Sequence, residues 1–359
     1  MSTIRKSKSS IDFRGRQFVI THDELPTSGL LGSEILYPPR GATLALLRML
    51  PTTRVETSLD IGTGHGLLAM ALSTLSNQVT ATDINQKFIE TAKSNARIND
   101  CNIEFRLGSL FEPVEPETFD VIVSNLPFVI DDVFEDGYRK SPLSGNGLLH
   151  YILNEAPRFL STDGLSLFLL TWLSDEHGDF DQTEIEFQGQ TWIGIREVLT
   201  LEEYVDVWMS DVGSDNEELR SRWTGSLANS GYTHASFGFI VIRNSSPSFS
   251  LIEDLRTASR LPEADEVTER LDAAVLSQSL EAVDILSAHF APTTLQGWRG
   301  DVSLDAILVK VREGMSVSQI VESVSQEYGL DEADVLAYCL AGVKQLVDWG
   351  LLSRKSPMI

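Results

Sequence analysis

The stretch Ser-Asn-Leu-Pro-Phe-Val at 124–129 closes an apolar run, 119–124, that reads as a buried strand. Asn125 at that point is costly to bury unless something meets its amide. It could form an Asx turn that only caps the strand, or it could be kept for a ligand. A second stretch, Leu-Asp-Ile-Gly-Thr-Gly-His-Gly at 59–66, lies upstream. There Gly62, Gly64 and Gly66 follow a strand-like run and open a helical one. Glycine lets backbone approach a ligand closely, and a helix N-terminus offers free N–H groups to an anion.

Glycine loops of this kind serve dinucleotides as well as S-adenosylmethionine (SAM). Two details favour SAM. Asp60, two residues before Gly62, would repel a pyrophosphate but suits an ammonium and a sulfonium. The last glycine falls at the fifth motif position, and Leu67 takes the sixth. Thr63 lies inside the loop. Asp83 ends the next strand, followed by Ile84. A carboxylate there reaches the ribose hydroxyls of a nucleoside cofactor, or caps the following helix. Ser109 and Leu110, closing a third strand, are placed to flank the adenine. His65 either touches the cofactor or starts the helix. None of the six histidines has metal-ligand spacing, so no metal is expected.

These residues need a scaffold, and the chain from about residue 54 supplies one. Apolar runs at 55–61, 78–83, 103–109, 119–125 and 165–172 alternate with helical patterns, the signature of a parallel sheet covered on both faces. The run 234–243 reads as a terminal, antiparallel strand, whereas 174–233 reads as acidic and irregular with one helix near 200–210. A linker-like stretch, 243–250, separates a second domain. There Ser316 and Gln319 form a capping box, and Leu336, Cys339, Leu340, Val343 and Val347 make an apolar stripe. The second domain resembles a winged helix. The expected organisation is an N-terminal segment and substrate lid at 1–45, a SAM-binding α/β domain at 46–245, and a mostly helical domain at 246–359.

The formal net charge of −24 counts against a nucleic-acid partner and favours small molecules or peptides. Arg5, Lys6 and Lys8 read as a disordered tail rather than a nucleic-acid arm. There is no membrane-length apolar run and no signal peptide, and two distant cysteines suit a reducing cytoplasm.

Taken together, 59–66, Thr-Ala-Thr-Asp-Ile-Asn at 80–85, 107–113 and 121–129 resemble a class I SAM-dependent methyltransferase. Within that class they resemble the branch with an N-P-P-(Y/F) loop, which includes release-factor glutamine N5-methyltransferases and amino-methylating nucleic-acid enzymes. The resemblance spans about 35–243 and implies a doubly wound, Rossmann-like, seven-stranded sheet. It implies that Asn125 and the Leu126 carbonyl accept hydrogen bonds from a planar NH₂ group, that Pro127 shapes the loop, and that Phe128 stacks on the group. Asn125 would also border the cofactor. The upstream Tyr37, Pro38, Pro39 and Arg40 resemble the segment that covers the active site, and Tyr138 and Arg139 could hold substrate. Leu126 departs from the branch, which has a second proline, and Ser109 stands where relatives carry Asp. The expected function is SAM-dependent N-methylation of a protein, peptide or metabolite. The alternatives are an RNA base N-methyltransferase and an inactive SAM-binding scaffold that recruits a partner. The C-terminal domain would be a docking surface or a homodimer contact.

Overall fold

A computed structural model describes residues 6–24, 36–130, 143–211, 214–246 and 248–281, and beyond these 290–292, 315, 317–328, 335 and 352–354. The chain forms two compact units, Met1–Val267 and Thr268–Ile359.

The first unit is built on one eight-stranded sheet. Its strands are β3 (Val55–Ile61), β4 (Ser76–Asp83), β5 (Glu104–Leu107), β6 (Phe119–Asn125), β7 (Leu160–Ser174), β8 (Gln190–Thr200), β9 (His234–Arg243) and β10 (Phe249–Asp254). Their order is β10-β8-β9-β7-β6-β3-β4-β5. β9 runs antiparallel to both its neighbours, and the other pairings are parallel. The doubly wound sheet therefore has one strand more than the expected seven. β10 pairs with β8 in register Phe249↔Gln190, so residues expected beyond the linker complete the first unit.

Side chains alternate across the sheet as strand geometry requires. One face buries Ile122, Phe168, Leu170, Trp172 and Ile240 beneath α4 (Gly147–Glu155), which contributes Leu148, Leu149, Ile152 and Leu153. The opposite face carries Leu173 and Ala235 under α5 (Leu201–Asp211) and α6 (Glu217–Ala228), through Tyr204, Val205, Met209, Trp223 and Leu227. Strand β8 and helix α6 differ from the irregular reading of 174–233. Gly194 hides the strand pattern for a packing reason. A Cβ there would lie 2.3 Å from the Phe239 ring, so only glycine lets that ring cross β8.

The basic N-terminus is also ordered, contrary to the expected tail. β1 (Lys6–Phe13) and β2 (Arg16–Asp23) form a hairpin through Arg14 and Gly15, at φ 51° and 83°. Positive φ at both residues matches the twist of a tight two-residue turn. Phe18 and Ile20 are fully buried. Helix α3 (Gln86–Ile98) holds β2 by side-chain amides that act like a neighbouring strand. Asn99 Oδ1 accepts from Val19 N and its Nδ2 donates to Val19 O, both at 2.8 Å. Asn95 does the same to Thr21, at 2.9 and 3.1 Å. Lys6 pairs with the buried Asp23 at 2.7 Å, and Arg5 lies outside the described residues.

In the second unit, helix Val317–Tyr328 begins one residue after Ser316, and Phe290–Pro292 pairs antiparallel with Leu352–Arg354. Ser316 and the apolar stripe from Leu336 to Val347 lie outside the described residues. Among the described residues no helix is long and apolar enough to cross a membrane.

The amide clamp on β2 yields a stability prediction. Asn99→Ala leaves a backbone N–H and C=O of β2 without partners, which costs roughly 2 kcal/mol. Urea unfolding is expected to show that loss, and limited proteolysis to cut the hairpin first. Unchanged stability and cleavage would mean that Phe18 and Ile20 alone hold it.

Candidate active site

The sheet order changes direction between β3 and β6, and in doubly wound sheets ligands bind beyond the strand C-termini at such a point. The residues singled out in the sequence converge on it. The glycine loop joins β3 to α2 (Leu67–Leu72) with Gly62, Gly64 and Gly66 all at positive φ. Gly66 also lets α3 approach, since a Cβ would sit 3.2 Å from Ala92 Cβ.

Asp60 organises the loop from below. Its Oδ2 accepts from Thr63 Oγ1 at 2.6 Å and from Ala69 N in the first turn of α2 at 3.0 Å. Its Oδ1 is buried and has no hydrogen-bond partner among the described residues. Burial raises this carboxyl to about 7, against the lowering effect of the Thr63 and Ala69 bonds, and a cation brought near would favour its ionised form. Asp83 Oδ2 accepts from Gly64 N at 2.9 Å and Oδ1 from Asn85 N at 2.8 Å. Desolvation raises Asp83 as well. The cap of α3 is the Asn85 side chain, which accepts from Lys87 N. Asp83 therefore ties two loops together and does not cap the helix.

His65 turns inward. Its Nδ1 accepts from Leu67 N at 3.3 Å, and burial, with His22 nearby, lowers it to about 4. Asn95 Nδ2 donates to the His65 carbonyl at 2.8 Å, so one side chain joins the glycine loop to the hairpin.

At the ends of β4 and β5, Ile84 and Leu107 are 64% and 53% exposed, while Ser109 and Leu110 are half-buried. Leu110 has φ 46°, a left-handed backbone that a branched side chain rarely adopts. Two exposed apolar side chains beside a carboxylate on a glycine loop make a platform for a nucleoside. The orphaned Asp60 oxygen and the open glycine backbone suit a cationic amino-acid tail. SAM fits these residues: Asp60, Gly62, Thr63, Gly64 and Gly66 could hold its methionine end, Asp83 and Ile84 the ribose, and Ser109 and Leu110 the adenine.

Asn125 is half-buried at the end of β6. Its Nδ2 donates to Thr43 Oγ1 at 3.3 Å, on α1 (Gly41–Met49), whereas its buried Oδ1 has no partner among the described residues. The Leu126 amide donates to Leu169 O at 3.0 Å, and its side chain enters the core. Pro127 and Phe128 follow, both half-buried. Phe128 lies 6.4 Å from Phe237, whose ring is in turn 5.8 Å from Tyr204. The Tyr204 hydroxyl donates to Phe128 O and accepts from Ile130 N, each at 2.8 Å, and Trp223 Nε1 donates to Ile130 O at 3.0 Å. Helices α5 and α6 thus clamp the backbone just after Asn125.

Upstream, Leu36 N donates to Asp23 Oδ2, and Asp23 N donates to Leu36 O, both at 2.9 Å. Leu36 reaches within 3.6 Å of where a Cβ on Gly64 would stand. Arg40 stacks its guanidinium 5.2 Å from the Tyr37 ring. Tyr37 and Arg40 thus lie on the segment between the glycine loop and Thr43. Tyr138 and Arg139 lie outside the described residues. The sequence reading did not single out Thr43, Asn95, Tyr204, Trp223 or Phe237. Only Tyr204 left a signal, as an aromatic residue with a polar tip inside the helical pattern near 200–210.

Asp60 gives this geometry a pH signature. Its folded value of about 7 lies above the ordinary carboxylate value of 3.8. Its stabilising contribution is therefore complete below about pH 4 and is lost as pH rises through about 7. A cation placed beside Oδ1 expels the proton. Calorimetry of SAM binding at pH 6, in buffers of different ionisation heat, is expected to show proton release that fades above pH 8 and disappears in Asp60→Asn. Buffer-independent heat at pH 6 would mean that the cation does not sit on Asp60.

The chain is similar to known proteins over part of its length. The family model of the methyltransferase small domain matches residues 40–171. A release factor glutamine methyltransferase of Aliivibrio fischeri is 35% identical over 147 residues, 37% of this chain and 49% of that one. The chain thus spans about half the length of that relative. A putative protein N5-glutamine methyltransferase of Methanocaldococcus jannaschii is 30% identical over 148 residues, 39% of this chain and 75% of that one. Among solved structures, a T. thermophilus 16S rRNA methyltransferase in complex with AdoMet and guanosine is similar at 19% identity and a TM-score of 0.34, over 48% of this chain and 42% of that one. The matched family segment carries Asp60, the glycine loop, Asp83 and Asn125, and the chain belongs to the class I SAM-dependent methyltransferases of the methyltransferase small-domain family.

Proposed function

We propose that this protein transfers a methyl group to the nitrogen of a carboxamide on a protein. One observation carries the reading: a buried asparagine oxygen at the C-terminal end of β6, Asn125 Oδ1, has no partner among the described residues. It is an acceptor waiting for a donor, and an NH₂ group has two N–H bonds to give. One would go to Asn125 Oδ1 and the other to the Leu126 carbonyl, with the Phe128 ring against the plane of the group.

SAM, when bound, supplies an electrophilic methyl on a sulfonium. The chain's residues do the rest by positioning and electrostatics. Thr43 holds the amide of Asn125 from behind, so its oxygen points one way. Two acceptors on the NH₂ group concentrate electron density on the nitrogen and favour the positive charge that develops there. The nitrogen gains the methyl, the carbon–sulfur bond breaks, and one nitrogen proton leaves to solvent. Tyr204 fixes the loop by bonding both Phe128 O and Ile130 N.

Two features support a protein acceptor over a nucleic acid. Curated relatives at 30–36% identity include several named as release factor or protein glutamine methyltransferases. The net charge of −24 opposes a phosphate backbone. A cytoplasmic setting suits the free thiol of Cys101. The first domain, from about 46, would perform the transfer, and the C-terminal domain would dock the partner.

The test is transfer from methyl-labelled SAM into an extract of the source organism, with parallel samples pre-treated with protease, with nuclease or by removal of small molecules. Label lost only after protease is the expected result, and loss after nuclease or on removal of small molecules overturns the proposal. Asn125→Ala is expected to cut transfer roughly hundredfold or more while leaving the SAM dissociation constant within about threefold. Parallel loss of both would remove Asn125 from the acceptor side. Tyr204→Phe keeps the ring but unpairs two loop groups. It is expected to lower kcat roughly tenfold with SAM affinity intact, and an unchanged kcat would show that Trp223 alone suffices.

A further inference from the structure

Thr171, near the C-terminal end of the interior strand β7, is a second buried polar side chain with an unmet need. It is 4% exposed, and its Oγ1 has no hydrogen-bond partner among the described residues. A buried hydroxyl without a partner is unfavourable unless something outside the folded chain satisfies it.

Register places it on the same face of the sheet as Asn125. Asn125 on β6 is opposite Leu169 on β7, so Leu169 and Thr171 share the face of Asn125, with Thr171 two residues nearer the strand's C-terminal end. Strand spacing and rise put its Cα about 8 Å from that of Asn125. Its neighbour across β9 is Phe237, the ring that lies 6.4 Å from Phe128. In the order β3-β6-β7, Asn125 stands between the glycine loop, which follows β3, and Thr171. A nitrogen bound at Asn125 and attacking toward the glycine-loop side must point the rest of its planar group away, toward β7.

We infer that Thr171 is a positioning residue whose hydroxyl donates to the carbonyl oxygen of the carboxamide acceptor. The inference rests on the proposed amide methylation and extends it. A carboxamide brings two N–H donors and one carbonyl acceptor. Asn125 and the Leu126 carbonyl answer the donors, and Thr171 answers the acceptor. Its role is recognition of the group rather than lowering of the barrier. A donor on the amide oxygen withdraws electron density from the nitrogen, so a strong cationic donor there would slow attack. A neutral hydroxyl orients the amide with little such penalty, and it distinguishes a carboxamide from a plain amine, which has no carbonyl.

The test compares the full-length protein with Thr171→Val and Thr171→Ser. The probe is extract protein that has been nuclease-treated and stripped of small molecules, with methyl-labelled SAM. Thr171→Val is expected to raise the apparent KM for extract protein roughly three- to tenfold, with kcat within about twofold. Thr171→Ser restores the KM. SAM affinity stays at the wild-type value, and the melting temperature of Thr171→Val is equal to or above the wild type, because an unsatisfied hydroxyl has been removed from the core. A lowered melting temperature, a fall confined to kcat, or an unchanged KM with an active wild type overturns the role of Thr171 alone. No transfer by the wild type, or transfer only to nucleic acid in untreated extract, overturns the amide-methylation reading and this inference with it.

Discussion

Two carboxyl groups buried on adjacent strands set the conditions for the rest of this molecule. Asp60 and Asp83 are 0% and 7% exposed, and neither is paired with a lysine or arginine among the described residues. Taking such groups out of water is unfavourable, and each is retained because its oxygens hold backbone that has no other partner. Asp60 holds the first turn of α2, and Asp83 holds Gly64 and Asn85. The glycine loop is therefore shaped by acids that would rather face a positive charge. A ligand that brings a cation relieves the burial and meets a loop already in position. The fit of a sulfonium and an ammonium follows from that unmet charge demand.

That loop is linked to Asn125 through the N-terminal segment. Asn95 joins His65 in the glycine loop to Thr21 of the hairpin, Asp23 fixes Leu36, and the chain from Leu36 runs on to Thr43 beside Asn125. Each link is a side chain bonding backbone, or one side chain bonding another, and none depends on a surface ion pair that salt would screen. The hairpin thus belongs to the same network as the site, although it pairs with no strand of the large sheet.

The parallel strands, the glycine loop and Asn125 were legible because each leaves a local pattern: continuous apolar runs, repeated glycine, a polar residue ending a buried run. What escaped is non-local. The hairpin alternates Lys-Ser-Lys-Ser before Phe18 and Ile20, and its basic surface concealed a buried second strand. Strand β8 contains Gly194, whose meaning appears only when Phe239 crosses above it. The serine-rich stretch before β10 reads as a linker to another domain, yet the backbone of β10 completes the edge beside β8. Thr171 sits in an apolar strand with nothing local to distinguish it. Only the register with β6 shows that its hydroxyl shares a face with Asn125.

The same non-local logic resolves the departure at Leu126. A second proline stiffens such a loop by fixing φ and removing a donor, both within the loop itself. Leucine gives up that rigidity but can do two things proline cannot. Its amide donates to Leu169 O, extending the β6–β7 ladder one residue past Asn125, and its side chain anchors in the core under α4. Two and four residues on, Tyr204 and Trp223 bond three backbone groups of Phe128 and Ile130. The loop is therefore held at both ends by bonds to neighbouring elements. Rigidity supplied this way depends on α5 and α6 staying packed against β7 and β9, where Leu173 and Ala235 meet Val205 and Leu227. Substitutions under those helices, far from Asn125 in sequence, act on the same loop that a proline would have governed locally.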